Sequence, residues 1–129
     1  MKFFSLRKKE RIKLRREFQQ LFENQKFILV GPLKVTYFFS KTEKPIVKVS
    51  FSVPSKLFKK SVKRNYIKRL LRETYRKNKY ILYESLNFKV LLNFSYIYND
   101  FPNYKFIEEN MIHSLQILKD LIKNNNENV

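Results

Sequence analysis

The stretch from Ser61 to Lys77 reads SVKRNYIKRLLRETYRK, and seven of its seventeen residues are Lys or Arg while one is acidic. Four of the cations recur at every fourth position, and these are Arg64, Lys68, Arg72 and Arg76. On an α-helix they would form one row with steps of about 6 Å, comparable to the spacing of phosphates along a nucleic-acid strand. Because the planar guanidinium group suits a phosphate, this row predicts phosphate binding.

A solvated surface is the ordinary explanation of a charge run, and it is the alternative to phosphate binding here. Like charges four residues apart destabilise a helix by a few tenths of a kcal/mol per pair. Glu73 is the single acid in the stretch, four residues from both Arg69 and Lys77. A helix selected for stability alone would alternate the signs of its charges, so the pattern favours phosphate binding.

The charge of the whole chain indicates a polyanionic partner. The 129 residues carry a net charge of +17, with a pI near 10.1. The charge is unevenly placed, because residues 59–79 contribute +9 whereas residues 80–129 contribute −2. A defined basic surface, rather than a uniformly basic one, is therefore expected, and nucleic acid is the leading class of partner.

The apolar residues of the same stretch predict how its helix is oriented. At about 100° per residue, one half of the helix carries Tyr66, Ile67, Leu70, Leu71 and Thr74. Asn65, Arg69 and the cationic row fall on the other half. We expect a helix over 62–76 with Ser61 as its N-cap, whose apolar half packs on a sheet and whose basic half faces outward.

The remaining elements predict one α+β domain over residues 1–129. Alternating β-branched and aromatic residues predict strands at 33–39 and 46–53, which we expect to pair as a hairpin, and further strands at 27–30 and 87–94. Helical spacing predicts a first helix from Leu14 and a last helix from Tyr104. The former is preceded by a solvated basic arm, 1–13, and the latter is followed by a frayed tail, 124–129.

The segment KRNYIKRLLRETYR, 63–76, preceded by FSVPSKLFKKSV, resembles the signature of the bacterial ribonuclease P protein subunit. The resemblance extends from about Leu6 to Lys123 in length, element order and charge distribution. It implies a four-stranded sheet with three helices, like the second domain of ribosomal protein S5. It also implies that the motif helix joins two parallel neighbouring strands by a left-handed βαβ crossover, which is uncommon.

The resemblance further implies two groups of site residues. Those expected to bind the catalytic RNA and phosphates are Lys56, Lys60, Arg64, Asn65, Lys68, Arg69, Arg72 and Arg76. Those expected to line a cleft for the 5′ leader of precursor tRNA are Phe18, Phe22 and Tyr37. The chain departs from the family pattern at Tyr66, where the third motif residue is usually Arg, and at Ser50 and Ser55.

The two phenylalanines of the first helix have an alternative role in the core. Phe18 and Phe22 are four residues apart, a spacing that is common among residues buried under a helix. Exposed rings could instead stack unpaired bases at about 1 to 3 kcal/mol each with little sequence preference. The resemblance favours stacking, which suits a protein that accepts many different leaders.

The sequence offers little for catalysis by the protein itself. The 11 acids are scattered, cysteine is absent, and His113 is the single histidine, whereas a two-metal nuclease needs several converging carboxylates. The resemblance implies a protein subunit of a ribonucleoprotein endoribonuclease that matures tRNA 5′ ends, with its catalytic centre in the RNA subunit. Mg²⁺ is expected to be held mainly by that RNA, with none bound by the protein alone.

The same patterns allow one other class of function and disfavour two. A ribosomal-protein-like rRNA-binding protein would share the charge and size but would need no leader cleft. A DNA-binding module is disfavoured by the uniform row of cations, and a membrane-surface helix by the use of its apolar residues for packing.

The sequence also predicts the location of the protein. No apolar run suits a signal peptide or a membrane span. We expect a cytoplasmic protein without an obligatory protein partner.

Overall fold

A computed structural model of the chain describes residues 6–127. Within them the helices are α1 Arg15–Glu23, α2 Ser61–Asn78, α3 Tyr80–Tyr83 and α4 Tyr104–Glu127, and the strands are β1 Phe27–Val30, β2 Leu33–Ser40, β3 Ile46–Ser52 and β4 Lys89–Tyr96. The predicted α+β class and four-stranded sheet are confirmed. The one-turn helix α3 adds to the three predicted helices. The first five residues of the predicted arm and the last two of the predicted tail lie outside the described residues.

The strand order is β1-β2-β4-β3, with β4 antiparallel to β2 and parallel to β3. The predicted hairpin between β2 and β3 is therefore wrong, because β4 lies between them. Seven of the eight residues of β4 are buried, and a strand buried on both faces belongs at the centre of a sheet. As predicted, α2 connects two parallel neighbours, β3 and β4, and the left-handedness of this crossover stays a prediction.

One side of the sheet, here called the core face, carries the main hydrophobic core. Strand side chains alternate between the two faces, and the core face includes Val35, Val49 and Leu92. Helices α2 and α4 cover this face. The buried stripe of α4 is the predicted one, and it consists of Ile107, Met111, Leu115, Leu118 and Ile122.

The buried half of α2 is close to the prediction, with one exception. Ile67, Leu71 and Tyr75 are fully buried, whereas Tyr66 remains partly exposed at the border of the apolar half. The predicted N-cap is wrong by one position, because the cap is Lys60 and no side chain caps the helix. Arg64 instead stabilises the loop that leads into the helix. Its guanidinium donates hydrogen bonds to the carbonyl oxygens of Phe58 and Lys59, both at 2.7 Å.

The opposite side of the sheet, here called the α1 face, lies under the first helix. Leu21 of α1 is fully buried in a small cluster with Ile12 and Leu91, against which Phe18 and Phe38 pack. Glu17 fastens α1 to the sheet, since its Oε2 accepts hydrogen bonds from Lys89 at 2.7 Å and Lys48 at 3.1 Å. Helix α1 therefore has a fixed position over β2 and β4.

The end of the basic arm is attached to the domain, although its basic side chains stay exposed. Arg11 forms a parallel bridge with Val49, so the arm lies along the edge of β3. Glu10 is 5% exposed, and its carboxylate accepts hydrogen bonds from Lys79 Nζ at 2.8 and 2.9 Å and from the Tyr83 hydroxyl at 2.8 Å. The prediction of a solvated arm is thus wrong for Glu10, because a buried carboxylate requires charged and hydrogen-bonding partners, whereas the side chain of Arg11 is exposed.

Among residues 6–127 no helix has the length and apolar character needed to cross a membrane.

Candidate RNA interface

The outward half of α2 forms a cationic surface, here called the arginine face. Its exposed members are Asn65, Arg69 and Arg72, and half-buried members at its borders are Arg64, Lys68 and Arg76. Arg76 forms an ion pair with Glu73 at 2.8 Å. Within the described range, Lys68 and Arg72 lie beyond ion-pair distance of any carboxylate. The surface therefore keeps most of its positive charge available for an anionic partner.

The loop before α2 contributes two of the predicted cations. Lys56 and Lys60 are both exposed, near the N-terminal end of the arginine face. Arg64 has a different role from the other members, because both of its hydrogen bonds go to backbone carbonyls of this loop. Arg64 therefore positions the loop and its lysines.

The arm adds a cation that the local spacing of the α2 motif does not reveal. Arg11 and Arg72 line the same hollow, together with Leu6 and Ser50. The bridge from Arg11 to Val49 and the Glu10 contacts hold the arm beside α2. The arginine face thus continues onto the arm, and the basic composition of residues 6–13 is the sequence signal for this extension.

A groove on the α1 face separates the end of α1 from β1 and β2. It is lined by Phe22, Gln25, Phe27, Lys34 and Thr36. Phe22 is 48% exposed and Phe27 is 47% exposed, and Lys34 Nζ lies 4.6 Å from the centroid of the Phe27 ring. The groove therefore combines open aromatic rings with a cation, which is the combination that binds single-stranded nucleic acid.

Two of the three predicted cleft residues lie together, because Phe18 and Phe22 line one hollow along α1. Phe22 also lines the groove, while Phe18 is half-buried and packs on the small cluster beneath α1. Tyr37 lies on the core face, where its ring is 5.2 Å from that of Phe39. Its assignment to a common cleft is wrong because adjacent strand residues point to opposite faces. The residues of β2 on the α1 face are Lys34, Thr36, Phe38 and Ser40.

The buried carboxylates of Glu10 and Glu17 form ion pairs with lysines. Burial raises the pKa of Glu17, but hydrogen bonds from Lys89 and Lys48 outweigh that effect and leave its pKa below the ordinary value. Lys89 also contacts Glu43 at 3.3 Å. Glu17 therefore stays ionised, and the two lysines beneath α1 are neutralised within the fold rather than offered to a ligand.

Residues 6–127 contain no group of three or more His, Cys, Asp or Glu side chains able to hold a metal ion. His113 lies on the exposed side of α4. What the described side chains offer is binding chemistry, namely the cations of α2 and the arm on one surface and the open rings of the α1 groove on another.

Comparison with known proteins places these surfaces in a family context. The profile of the family described as Ribonuclease P matches residues 6–118. The ribonuclease P protein components of two Porphyromonas gingivalis strains are each 34% identical to this chain over 116 residues, which are 87% of this chain and 85% of each relative. The structure of the Staphylococcus aureus RNase P protein has a TM-score of 0.66 at 24% identity, over 85% of this chain and 95% of that one. At that identity, the likeness concerns the fold.

Proposed function

The chain belongs to the ribonuclease P protein family, and we propose that it binds both the ribonuclease P RNA and the 5′ leader of precursor tRNA. Family membership gives it a role in an endoribonuclease complex that processes tRNA. The proposal concerns which surface contacts which RNA. It assigns the arginine face to the ribonuclease P RNA and the groove on the α1 face to the leader.

The observation that carries the proposal is the arginine face. The fully buried Ile67 and Leu71 fix the orientation of α2, so its cations are presented on a rigid element. Because Lys68 and Arg72 have no carboxylate within ion-pair distance in the described range, no internal ion pair must break before they contact phosphate. Such contacts release counterions from the RNA and make the affinity depend on salt.

The leader proposal rests on the open rings of the groove. Bases of a single-stranded leader are unpaired, so Phe22 and Phe27 can stack on them, and Lys34 can contact the neighbouring phosphate. Stacking needs no particular base, which suits precursors with different leader sequences. Phe18 supports this site from below by packing on the small cluster that holds α1 on the sheet.

The cleavage chemistry is assigned to the RNA subunit in this proposal. Hydrolysis of the phosphodiester would occur there with Mg²⁺ held mainly by the RNA. The protein would contribute affinity for the substrate and would reduce repulsion between phosphates, so that metal sites in the RNA fill at lower Mg²⁺ concentration. These are binding and electrostatic contributions rather than acid and base catalysis.

Replacing Arg72 by Ala should weaken assembly with the ribonuclease P RNA and flatten its salt dependence. Each lost phosphate contact removes roughly 0.7 to 0.9 from the log–log slope of affinity against salt. The measurement is the Kd for that RNA across a salt series, with Lys68→Ala as a second variant and Lys123→Ala, on an exposed part of α4, as the control. An unchanged slope in both face variants would contradict the assignment of this surface.

Replacing Phe22 by Leu should weaken binding of precursor tRNA to the assembled complex by about 1 to 3 kcal/mol. Mature tRNA has no leader, so its affinity should change little. Tyr37→Leu is the matched control, because Tyr37 packs on the core face; we expect it to lower thermal stability without distinguishing the two tRNAs. If Phe22→Leu weakened both tRNAs equally, the groove would not be the leader site, and an rRNA-binding role would become the better explanation.

A further inference from the structure

A second set of exposed rings lies beside α2, on the border away from the arm. The ring of Tyr66 stacks on that of Phe101, with their centroids 5.4 Å apart and their planes 15° apart. Tyr66 is 38% exposed and Phe101 is 50% exposed. We call this pair the aromatic shelf. It is separate from the α1 groove, because the shelf is built from α2 and the loop between β4 and α4.

The shelf stands on buried side chains that fix its position. The buried ring of Phe58 contacts Phe101 edge-on at 6.2 Å and Tyr96 at 6.2 Å. The Tyr96 hydroxyl donates a hydrogen bond to the carbonyl oxygen of Asp100 at 2.6 Å, which anchors the residue before Phe101. The adjacent Pro102 is buried. A surface held in this way loses little conformational entropy when a ligand binds.

One cation contacts the shelf and others follow or precede its residues in the chain, and they indicate the chemistry of its ligand. The guanidinium carbon of Arg69 lies 5.4 Å from the centroid of the Tyr66 ring. Lys63 lies one helical turn before Tyr66, and the exposed Lys59 and Lys60 directly follow Phe58 in the chain. Asp100 is the acidic neighbour of Phe101 in sequence. The surroundings are thus mainly positive, and a flat apolar surface within them matches a base attached to phosphates.

We propose that the aromatic shelf of Tyr66 and Phe101 binds one unpaired base of the ribonuclease P RNA, while Arg69 and the neighbouring lysines contact the flanking phosphates. The inference rests on the proposed function, because it takes that RNA as the partner of the arginine face. The proposal gives a stacking contact to Tyr66, which stands where the third motif residue is usually Arg. A second copy of this chain is a poor occupant, since it would bring another charge of +17 to the same surface.

A fluorescence experiment can test the shelf directly, because the chain contains no tryptophan. In Phe101→Trp the new indole is the single tryptophan, and stacking of a base on it should quench its emission when the ribonuclease P RNA is added. Tyr98→Trp is the matched control, because Tyr98 is in the same loop and is 42% exposed. The ring of Tyr98 contacts those of Tyr96 and Phe106 and is not part of the shelf. Quenching is expected for the former variant and not for the latter.

Affinity gives a second readout that separates stacking from phosphate contact. Phe101→Leu should weaken binding of the ribonuclease P RNA roughly 5- to 150-fold, as expected for one lost stacked base, with an unchanged salt slope. Tyr98→Leu should bind like the wild type. Thermal unfolding of each variant checks the fold, and Phe101→Trp retains a ring, so it tests the shelf even where the leucine variant is unstable.

The outcomes distinguish the shelf from the broader function. If the wild type binds the RNA but Phe101→Leu binds equally well, or the Phe101→Trp emission is unchanged at saturating RNA, the shelf proposal is overturned while the proposed function stands. If the Tyr98 variants respond as strongly as those of Phe101, the contact is not specific to the shelf and the proposal is again overturned. If the wild type itself does not bind the RNA, both proposals fail.

Discussion

Replacing Lys79 by Met should lower the free energy of unfolding by about 3 to 5 kcal/mol, the usual cost of removing one partner from a buried ion pair. Lys79 is 3% exposed and its ammonium donates to both carboxylate oxygens of Glu10. The variant leaves that carboxylate buried without its ammonium partner, and the remaining donors are the Tyr83 hydroxyl and the Arg7 backbone N–H. Chemical denaturation of the free protein measures the loss.

Two controls and a pH series make this prediction specific. Lys123→Met removes an exposed lysine of α4 and should change stability little. Glu10→Gln combined with Lys79→Met removes both charges, so the double variant should be more stable than Lys79→Met alone. If the double variant were the less stable of the two, the pair would not be acting as a buried charge pair.

The direction of the pH effect follows from the pKa of Glu10. Burial raises this pKa, but hydrogen bonds from Lys79, Tyr83 and the Arg7 backbone outweigh burial and leave it below its ordinary value of 4.5. A carboxyl with a lowered pKa contributes stability above its unfolded-state pKa and loses it as the pH falls through the folded-state value. The stability difference between wild type and Lys79→Met should therefore shrink on acidification below about pH 4.5. A constant difference would indicate that Lys79 acts through packing of its aliphatic stem.

The protein free of RNA should not cleave precursor tRNA, whereas the same preparation combined with the ribonuclease P RNA and Mg²⁺ should cleave it at the 5′ end. This is the largest effect we predict, because the change is from no cleavage to turnover. Its physical reason is that metal-dependent hydrolysis needs converging carboxylates, while the buried carboxylates of Glu10 and Glu17 face lysines. The measurement is cleavage of end-labelled precursor with each component omitted in turn.

A variant control distinguishes a binding role of the protein from a chemical one. The double variant Lys68→Ala and Arg72→Ala, on the arginine face, should lower cleavage at limiting protein concentration and recover it when the protein is in excess. A chemical role would leave a defect at saturation. Metal-dependent cleavage that persists through stringent purification of RNA-free protein would contradict the assignment of catalysis to the RNA subunit.

Local periodicity in the sequence predicts the long helices of the molecule well. The alternation of charge and apolar residues predicts a helix over 62–76, and α2 spans Ser61–Asn78. The stripe from Ile107 to Ile122 predicts α4 and its buried side. These features are predictable because a helix of several turns repeats its environment every 3.6 residues, so many residues support one interpretation.

The wrong predictions concern which strands pair and which face of the sheet a side chain lies on. Local sequence patterns specify both features weakly. In a strand, a shift of one residue moves a side chain to the other face, and the leader cleft would need Tyr37 on the face that Thr36 and Phe38 occupy. The expected hairpin is wrong for a related reason, because the spacing of two strands along the chain does not show whether a third strand separates them. The pairing of β4 with both β2 and β3 places it between them, and its burial on both faces agrees with this central position.

Contacts between residues far apart in the chain leave no local pattern in the sequence. Glu10 and Lys79 are 69 residues apart, and nothing in the composition of the arm indicates that one of its acids is buried. Tyr66 and Phe101 likewise come from different elements. Such pairs depend on the tertiary arrangement. The basic composition of residues 6–13 indicates a cationic arm, but the position of that arm beside α2 and the aromatic shelf become visible only with the fold.

The central position of β4 also determines the order in which the domain can form during synthesis. β2 and β3 both pair with β4, so a nascent chain that ends before Lys89 contains the β1–β2 hairpin and α2 but lacks the strand that joins the hairpin to β3. Until the ribosome has released residues 89–96, the apolar half of α2 has no completed sheet to cover. The sheet of this cationic chain therefore depends on contacts between segments far apart in sequence, which form more slowly than local contacts.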